Sequence, residues 1–147
     1  MERILYSGFK GQRNSSFRLV SAFRGDKVFL TNSFGGIFRD IELLDTGYER
    51  VIMFGADKIL TDSIRFELLA KKDSVLLHTR ANLSEYCSRA TGSALGYAIS
   101  KHPTHYLCNE AYYQMMQKMD CPVLFVHIPT LKNSSADFVE KLISVFQ

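Results

Sequence analysis

The chain has 147 residues, 46% hydrophobic and 22% charged, with three prolines; this suits one packed domain over residues 1–147 and excludes a disordered or collagen-like chain. Eighteen Lys and Arg against fifteen Asp and Glu leave a charge of +3 without a basic run, which predicts no nucleic-acid partner. Three cysteines without short-spaced pairs make a poor disulfide framework and a poor zinc site, and no apolar run suits a signal peptide or a bilayer, so a soluble, cytoplasmic protein without a membrane partner is expected.

Short apolar runs alternate with amphipathic stretches, the pattern of an α/β layer fold with a largely parallel sheet. Arg3 to Ser7 reads as a strand, and Asn14 or Ser15 caps a helix running to about Arg24. Lys27 to Thr31 is a second strand. Phe38, Ile41 and Leu43 or Leu44 recur at helical spacing, giving a helix that ends near Gly47, and Arg50 to Phe54 is a third strand. Asp62 to Ala70 fits either a strand or a helix; as a strand it puts Arg65 and Glu67 on one face. A short strand at Val75 to Leu77, a helix opening near Asn82 or Ser84 and a strand at Gly96 to Ser100 follow. From Tyr106 a helix carries Leu107, Ala111, Met115 and Met119 on one stripe, and Cys121-Pro122 ends it. Val123 to Val126 is a buried strand with His127 at its carboxyl end, and Ser134 or Ser135 caps a last helix.

Cys108 falls in the first turn of its helix, where the positive end of the dipole lowers a thiol pKa. His127, nineteen residues on, lies where functional groups gather in open α/β sheets. A cysteine beside a histidine, with a carboxylate orienting the ring, is the general arrangement of acyl-transfer enzymes. Taken singly these residues have blander explanations: a lone cysteine near an apolar stripe is most often a small buried hydrophobe, and a strand-end histidine is most often only hydrogen-bonded. Cys87 and Cys121 are assigned to packing. His78, His102 and His105 lack the i, i+3 or i, i+4 partners of a helical metal site, and no glycine-rich phosphate loop is present.

Four stretches shift that balance. Ile4-Leu5-Tyr6-Ser7-Gly8-Phe9 with Asn14-Ser15-Ser16, Gly55-Ala56 with Ile64-Arg65-Phe66-Glu67-Leu68-Leu69-Ala70, Ile99-Ser100 through Tyr106-Leu107-Cys108-Asn109, and Phe125-Val126-His127-Ile128-Pro129 together resemble the pyroglutamyl peptidases, cysteine enzymes that remove N-terminal pyroglutamate. The resemblance implies a three-layer α/β sandwich with a mixed, mostly parallel sheet, and it decides Asp62 to Ala70 in favour of a strand. It implies Cys108 as nucleophile, His127 as general base and Glu67 as the residue that orients it. Phe9, Leu107 and Asn14 are expected around the substrate, with Arg80 as the counterpart of the family's oxyanion arginine. Cys108 is expected about 3 to 4 Å from a His127 ring nitrogen.

The implied function is a cysteine peptidase or amidase acting on a peptide or small N-acyl amide, needing no metal or cofactor. Because members of the family often form dimers or tetramers, a homo-oligomer is a further expectation. Lys10-Gly11-Gln12-Arg13 stands where the family has Pro-Phe-Gly-Gly, and the stretch between Glu67 and Cys108 is short. Those departures support the alternative, a non-catalytic binding protein on the same scaffold.

Overall fold

The computed structural model describes residues 2–147. Strand and helix alternate first, as β1 (Ile4–Phe9), α1 (Ser15–Ala22), β2 (Asp26–Leu30), α2 (Phe34–Glu42) and β3 (Arg50–Ala56). Three short strands follow, β4 (Ser63–Glu67), β5 (Leu69–Lys72) and β6 (Val75–His78). The rest is α3 (Leu83–Gly92), β7 (Gly96–Ser100), α4 (Tyr106–Lys118), β8 (Val123–Ile128), a 3-10 turn at Leu131–Asn133 and α5 (Ala136–Phe146).

Six strands form one sheet in the order β2-β1-β3-β8-β4-β7, and β5 and β6 form a separate hairpin. β2, β1, β3 and β8 run parallel. β4 is antiparallel to β8, and β7 runs parallel to β4. The sheet is therefore mixed and mostly parallel, as expected.

Alternation along the central strands feeds two apolar layers. Ile52, Phe54, Ile64, Phe66, Leu124 and Val126 share one layer with Leu19 of α1, Tyr86 of α3 and Leu142 of α5. Val51, Met53, Val123 and Phe125 share the other with Ile41 of α2 and Ala111 and Met115 of α4. Each fully buried side chain of this size contributes about 1.5–3 kcal/mol. Side-chain caps start three helices: Asn14 Oδ1 accepts from Ser16 N at 2.9 Å, Ser33 Oγ from Gly36 N at 3.0 Å and Ser135 Oγ from Phe138 N at 3.1 Å.

Two elements differ from expectation. α2 stops at Glu42 and buries Ile37 and Ile41, leaving Phe38 53% exposed and Leu43 86% exposed. Gly36 explains the rotation: a Cβ there would lie 2.6 Å from Thr31 Cβ, so the backbone approaches Thr31, the residue after β2, more closely than any other residue would permit. The stretch ending at Ala70 is a strand as expected, but it breaks at Leu68. Leu68 N donates to Ser100 O at 3.0 Å, while its carbonyl accepts from Thr79 N at 2.9 Å, and the chain then leaves the main sheet for the hairpin.

Candidate active site

β8 is buried along its whole length between β3 and β4. The period of two that sends Val126 and Ile128 to one layer turns Phe125 and His127 to the other, toward α4. On β4 the same alternation sends Ile64 and Phe66 away and puts Arg65 and Glu67 on the face that His127 shares. Arg65 pairs with His127 in the antiparallel register, and Glu67 with Phe125.

Glu67 is 1% exposed and His127 3%, so both depend on protein partners. Glu67 Oε2 accepts from His127 Nδ1 at 2.8 Å and from Arg65 Nε at 2.7 Å. Arg65 Nη2 also donates to Asp57 Oδ2 at 2.7 Å. The result is a row, Asp57–Arg65–Glu67–His127, in which one guanidinium joins two carboxylates. Burial works against ionising Asp57, but the Ile59 N–H and Arg65 hold its carboxyl below the usual range. With Nδ1 donating to Glu67, the other ring nitrogen carries the lone pair. Among the described residues none forms a hydrogen bond with Nε2.

α4 begins abruptly. His105 is extended and supplies no side-chain cap, and Tyr106 has φ +54°, a left-handed conformation uncommon for a tyrosine. The first N–H groups of the helix are thereby left without a side-chain acceptor. Farther along, Asn109 clasps Lys71 through two hydrogen bonds, of 2.9 and 2.7 Å, and Tyr112 Oη donates to Glu67 O at 2.8 Å. α4 is thus pinned to both the hairpin and β4.

The Cys108 sulfur rests on Gly55, where an added Cβ would lie 2.9 Å from Sγ and 2.7 Å from Phe125 Cζ. Gly55 is the register partner of His127, so the sulfur sits over the strand pair that carries the imidazole. The carboxylate expected to orient the ring holds Nδ1, and no hydrogen bond joins the ring to the sulfur. The expected low thiol pKa is reversed. Burial pushes Cys108 up to about 12, the charges of Glu67 and Asp57 add to the rise, and Arg65 opposes it. Magnitudes explain the reversal, since a helix end contributes about 0.3–1 kcal/mol, less than one pKa unit, whereas desolvation moves buried groups by several units.

The other expected residues fall in different places. Phe9 is buried in the layer against which Leu107 and Cys108 pack. Asn14 spends its side-chain oxygen on capping α1, while Ser15 Oγ beside it donates to Pro129 O at 2.7 Å and ties that turn to the residues just after His127. Arg80 does not join the group. It is exposed and lines a cavity with Leu77, His78, Met116, Cys121 and Val123, and Val123 is four residues from His127 along β8, roughly 13 Å at the strand rise. The guanidinium whose charge acts on the Cys108 thiol is that of Arg65. Its place on the Glu67 face follows from period two alone, whereas Asp57 had only its position after the carboxyl end of a strand to mark it. Among the described residues no three His, Cys, Asp or Glu side chains converge to hold a metal ion, and no helix is long and apolar enough to cross a membrane.

No protein-family model and no curated protein matches the sequence. Solved structures do match. The pyrrolidone carboxyl peptidase from Thermococcus litoralis superposes with a TM-score of 0.79 at 14% identity, covering 99% of this chain and 91% of that chain. For pyroglutamyl peptidase I from Bacillus amyloliquefaciens the values are 0.80 and 13%, covering 99% and 95%. For the pyrrolidone carboxyl peptidase from Thermus thermophilus they are 0.75 and 19%, covering 97% and 96%. This chain has the fold of those proteins over nearly its whole length.

Proposed function

We propose that this chain is a cysteine peptidase or amidase that releases N-terminal pyroglutamate or a related acyl group, with Cys108 as nucleophile, His127 as base and Glu67 as the residue that orients the ring. The observation that carries the reading is the 2.8 Å contact between Glu67 Oε2 and His127 Nδ1, both buried, beside a sulfur seated on Gly55. Engagement of Nδ1 leaves Nε2 as the base. Burial keeps the thiol neutral at rest, so the proton passes to Nε2 as the sulfur attacks the acyl carbon. The C–N bond breaks as His127 returns that proton to the leaving amine, and water activated by His127 then releases the acyl group from sulfur. The uncapped N–H groups opening α4 supply the oxyanion site. Leu107, half-buried against the layer that holds Phe9, offers apolar surface to the acyl group, and Arg65 takes the place expected of Arg80. No cofactor enters these steps, and the free thiols Cys87, Cys108 and Cys121 suit a reducing, cytoplasmic setting.

The test is hydrolysis of a pyroglutamyl coumarin amide and a panel of other N-acyl amides. Cys108→Ala should abolish it, a loss of several orders of magnitude, on the order of 10⁴ or more; unchanged activity rejects the mechanism. The missing Cys108–His127 hydrogen bond and the high thiol pKa favour a second reading, a binding protein without turnover. A pyroglutamyl aldehyde distinguishes the two: a hemithioacetal on Cys108 supports the enzyme, and reversible binding without a covalent adduct supports the binder.

A further inference from the structure

The charge of +3 is gathered at one end of the molecule. β1, β3 and β8 run parallel and end side by side, at Phe9, Ala56 and Ile128. Gly55, on which the Cys108 sulfur rests, and His127 are the last residues but one of their strands. The segments that leave these ends, residues 10–14, 57–62 and 129–135, and the segment 101–105 that leads into α4 therefore surround the site.

These four segments hold Lys10, Arg13, Lys58, Lys101 and Lys132 against Asp57 and Asp62, an excess of three with histidines neutral. The rest of the chain is accordingly balanced. All five cations are exposed, and none pairs with a carboxylate among the described residues. Lys10 Nζ donates to the Thr31 hydroxyl at 3.1 Å. Asp57 is already held by Arg65, which leaves Asp62 to oppose them. At the amino ends of the strands the cations are matched instead, Arg3 by Asp26 and Asp45, and Arg50 by Glu2.

A peptide whose amino end is closed by an acyl group has lost its α-ammonium. With neutral side chains it carries one charge, the terminal carboxylate, and that charge lies on the fragment that leaves as the amine. We propose that the cationic rim selects N-acyl peptides whose leaving fragment bears a carboxylate close to the scissile bond, a substrate class that rests on the function proposed above. The carboxylate is either the free end of a short peptide or an acidic side chain directly after the acyl group. Exposed charges act over about one Debye length, about 8 Å at physiological ionic strength, and an extended chain covers that in two or three residues at about 3.3–3.6 Å each. Selection therefore reaches only the first two or three residues past the acyl group. Because such a field attracts without fixing geometry at the reacting atoms, it should act on KM and leave kcat alone.

Four peptides test this: pyroglutamyl-alanine, its amide, pyroglutamyl-aspartyl-alaninamide and pyroglutamyl-lysyl-alaninamide. Calorimetry with the Cys108→Ala chain reads binding without turnover. At about 20 mM salt the first or the third peptide, or both, should bind at least about fivefold more tightly than the neutral amide, with the lysyl peptide weakest, and about 0.5 M salt should bring all four within about twofold. Tight binding of the first alone assigns the carboxylate to the chain end, and of the third alone to the side chain. In the wild type the same order should appear in KM. Lys58→Glu with Lys101→Glu in one chain should abolish the order, whereas Lys27→Glu with Arg39→Glu, equal in charge and outside the four segments, should keep it. Equal binding at low salt, a preference for the lysyl peptide, or loss of the order in the Lys27 and Arg39 control overturns the proposal even if every peptide is cleaved. So does tighter binding of a short single-stranded DNA than of either acidic peptide. A wild type that cleaves none of the four, while the Cys108→Ala chain keeps the order, refutes turnover and supports the charge selection. Binding of none overturns the proposal together with the function on which it rests.

Discussion

Arg65 and His127 stand directly opposite each other across the antiparallel joint of β4 and β8, and both donate to a single oxygen of Glu67. The guanidinium fixes that carboxylate from one side and Asp57 from the other. Arg65→Met should cost roughly 3 kcal/mol of stability, because the buried Glu67 loses one of its two partners and Asp57 loses the half-buried guanidinium it shares. Arg65→Lys should recover only part of this, since an ammonium cannot reproduce a planar fork aimed at two carboxylates. Urea unfolding of the three proteins measures the series, and equal stability of Lys and Arg at this position would contradict it.

Glu67→Gln keeps the shape of the site but no longer requires Nδ1 to be the protonated nitrogen. Hydrolysis should fall by about 10³–10⁴-fold with little change in KM. Nitrogen NMR of the His127 ring should show a mixture of tautomers in place of one. A ring that keeps a single tautomer and full activity would remove Glu67 from the mechanism.

A thiol pushed up to about 12 by burial and by the charges of Glu67 and Asp57 should be alkylated slowly at neutral pH. Its rate should rise about tenfold per pH unit from pH 7 to pH 10, as the thiolate fraction does. Asp57→Asn removes a charge that raises the pKa, so alkylation at a given pH should become faster. Arg65→Met removes the opposing charge and should make it slower. Iodoacetamide labelling followed by mass mapping of Cys108 gives the rates, and a plateau below pH 8 would show a preformed thiolate.

Gly55→Ala places a methyl group 2.9 Å from Cys108 Sγ and 2.7 Å from Phe125 Cζ, so at least one must move. Overpacking of this kind costs about 1–3 kcal/mol, and displacing a nucleophile by about 1 Å costs about 10²-fold in rate. The variant should fold, with a lowered melting temperature and kcat reduced far more than substrate affinity. Wild-type kcat would mean that the sulfur acts from another position.

The strands and the site differ in how far they could be read before folding. Val123 to Val126 is a continuous apolar run and Leu107, Ala111 and Met115 form a stripe at helical spacing, and both elements formed where expected. The Cys108, His127 and Glu67 neighbourhood came from motif order and not from periodicity, because contacts between residues 60 apart leave no local pattern. Arg80 was misplaced because β6 and the residues after it run to the far end of β8, a matter of hairpin geometry. Phe38 faced outward because the Gly36 contact with Thr31 set the rotation of α2. The direction of the Cys108 shift depended on how deeply its sulfur is seated, and only tertiary packing determines that.

The central place of β8 has a consequence for how the site is assembled. β3 and β4 precede Val123–Ile128 in the chain, yet they belong to one sheet only through β8, which lies between them. Without β8, therefore, nothing joins β2, β1 and β3 to β4 and β7, and His127 is absent from the face on which Cys108 sits. The proposed nucleophile and base are therefore brought together only when β8 takes its place in the sheet, so the site has no partial form in which His127 stands without both half-sheets around it.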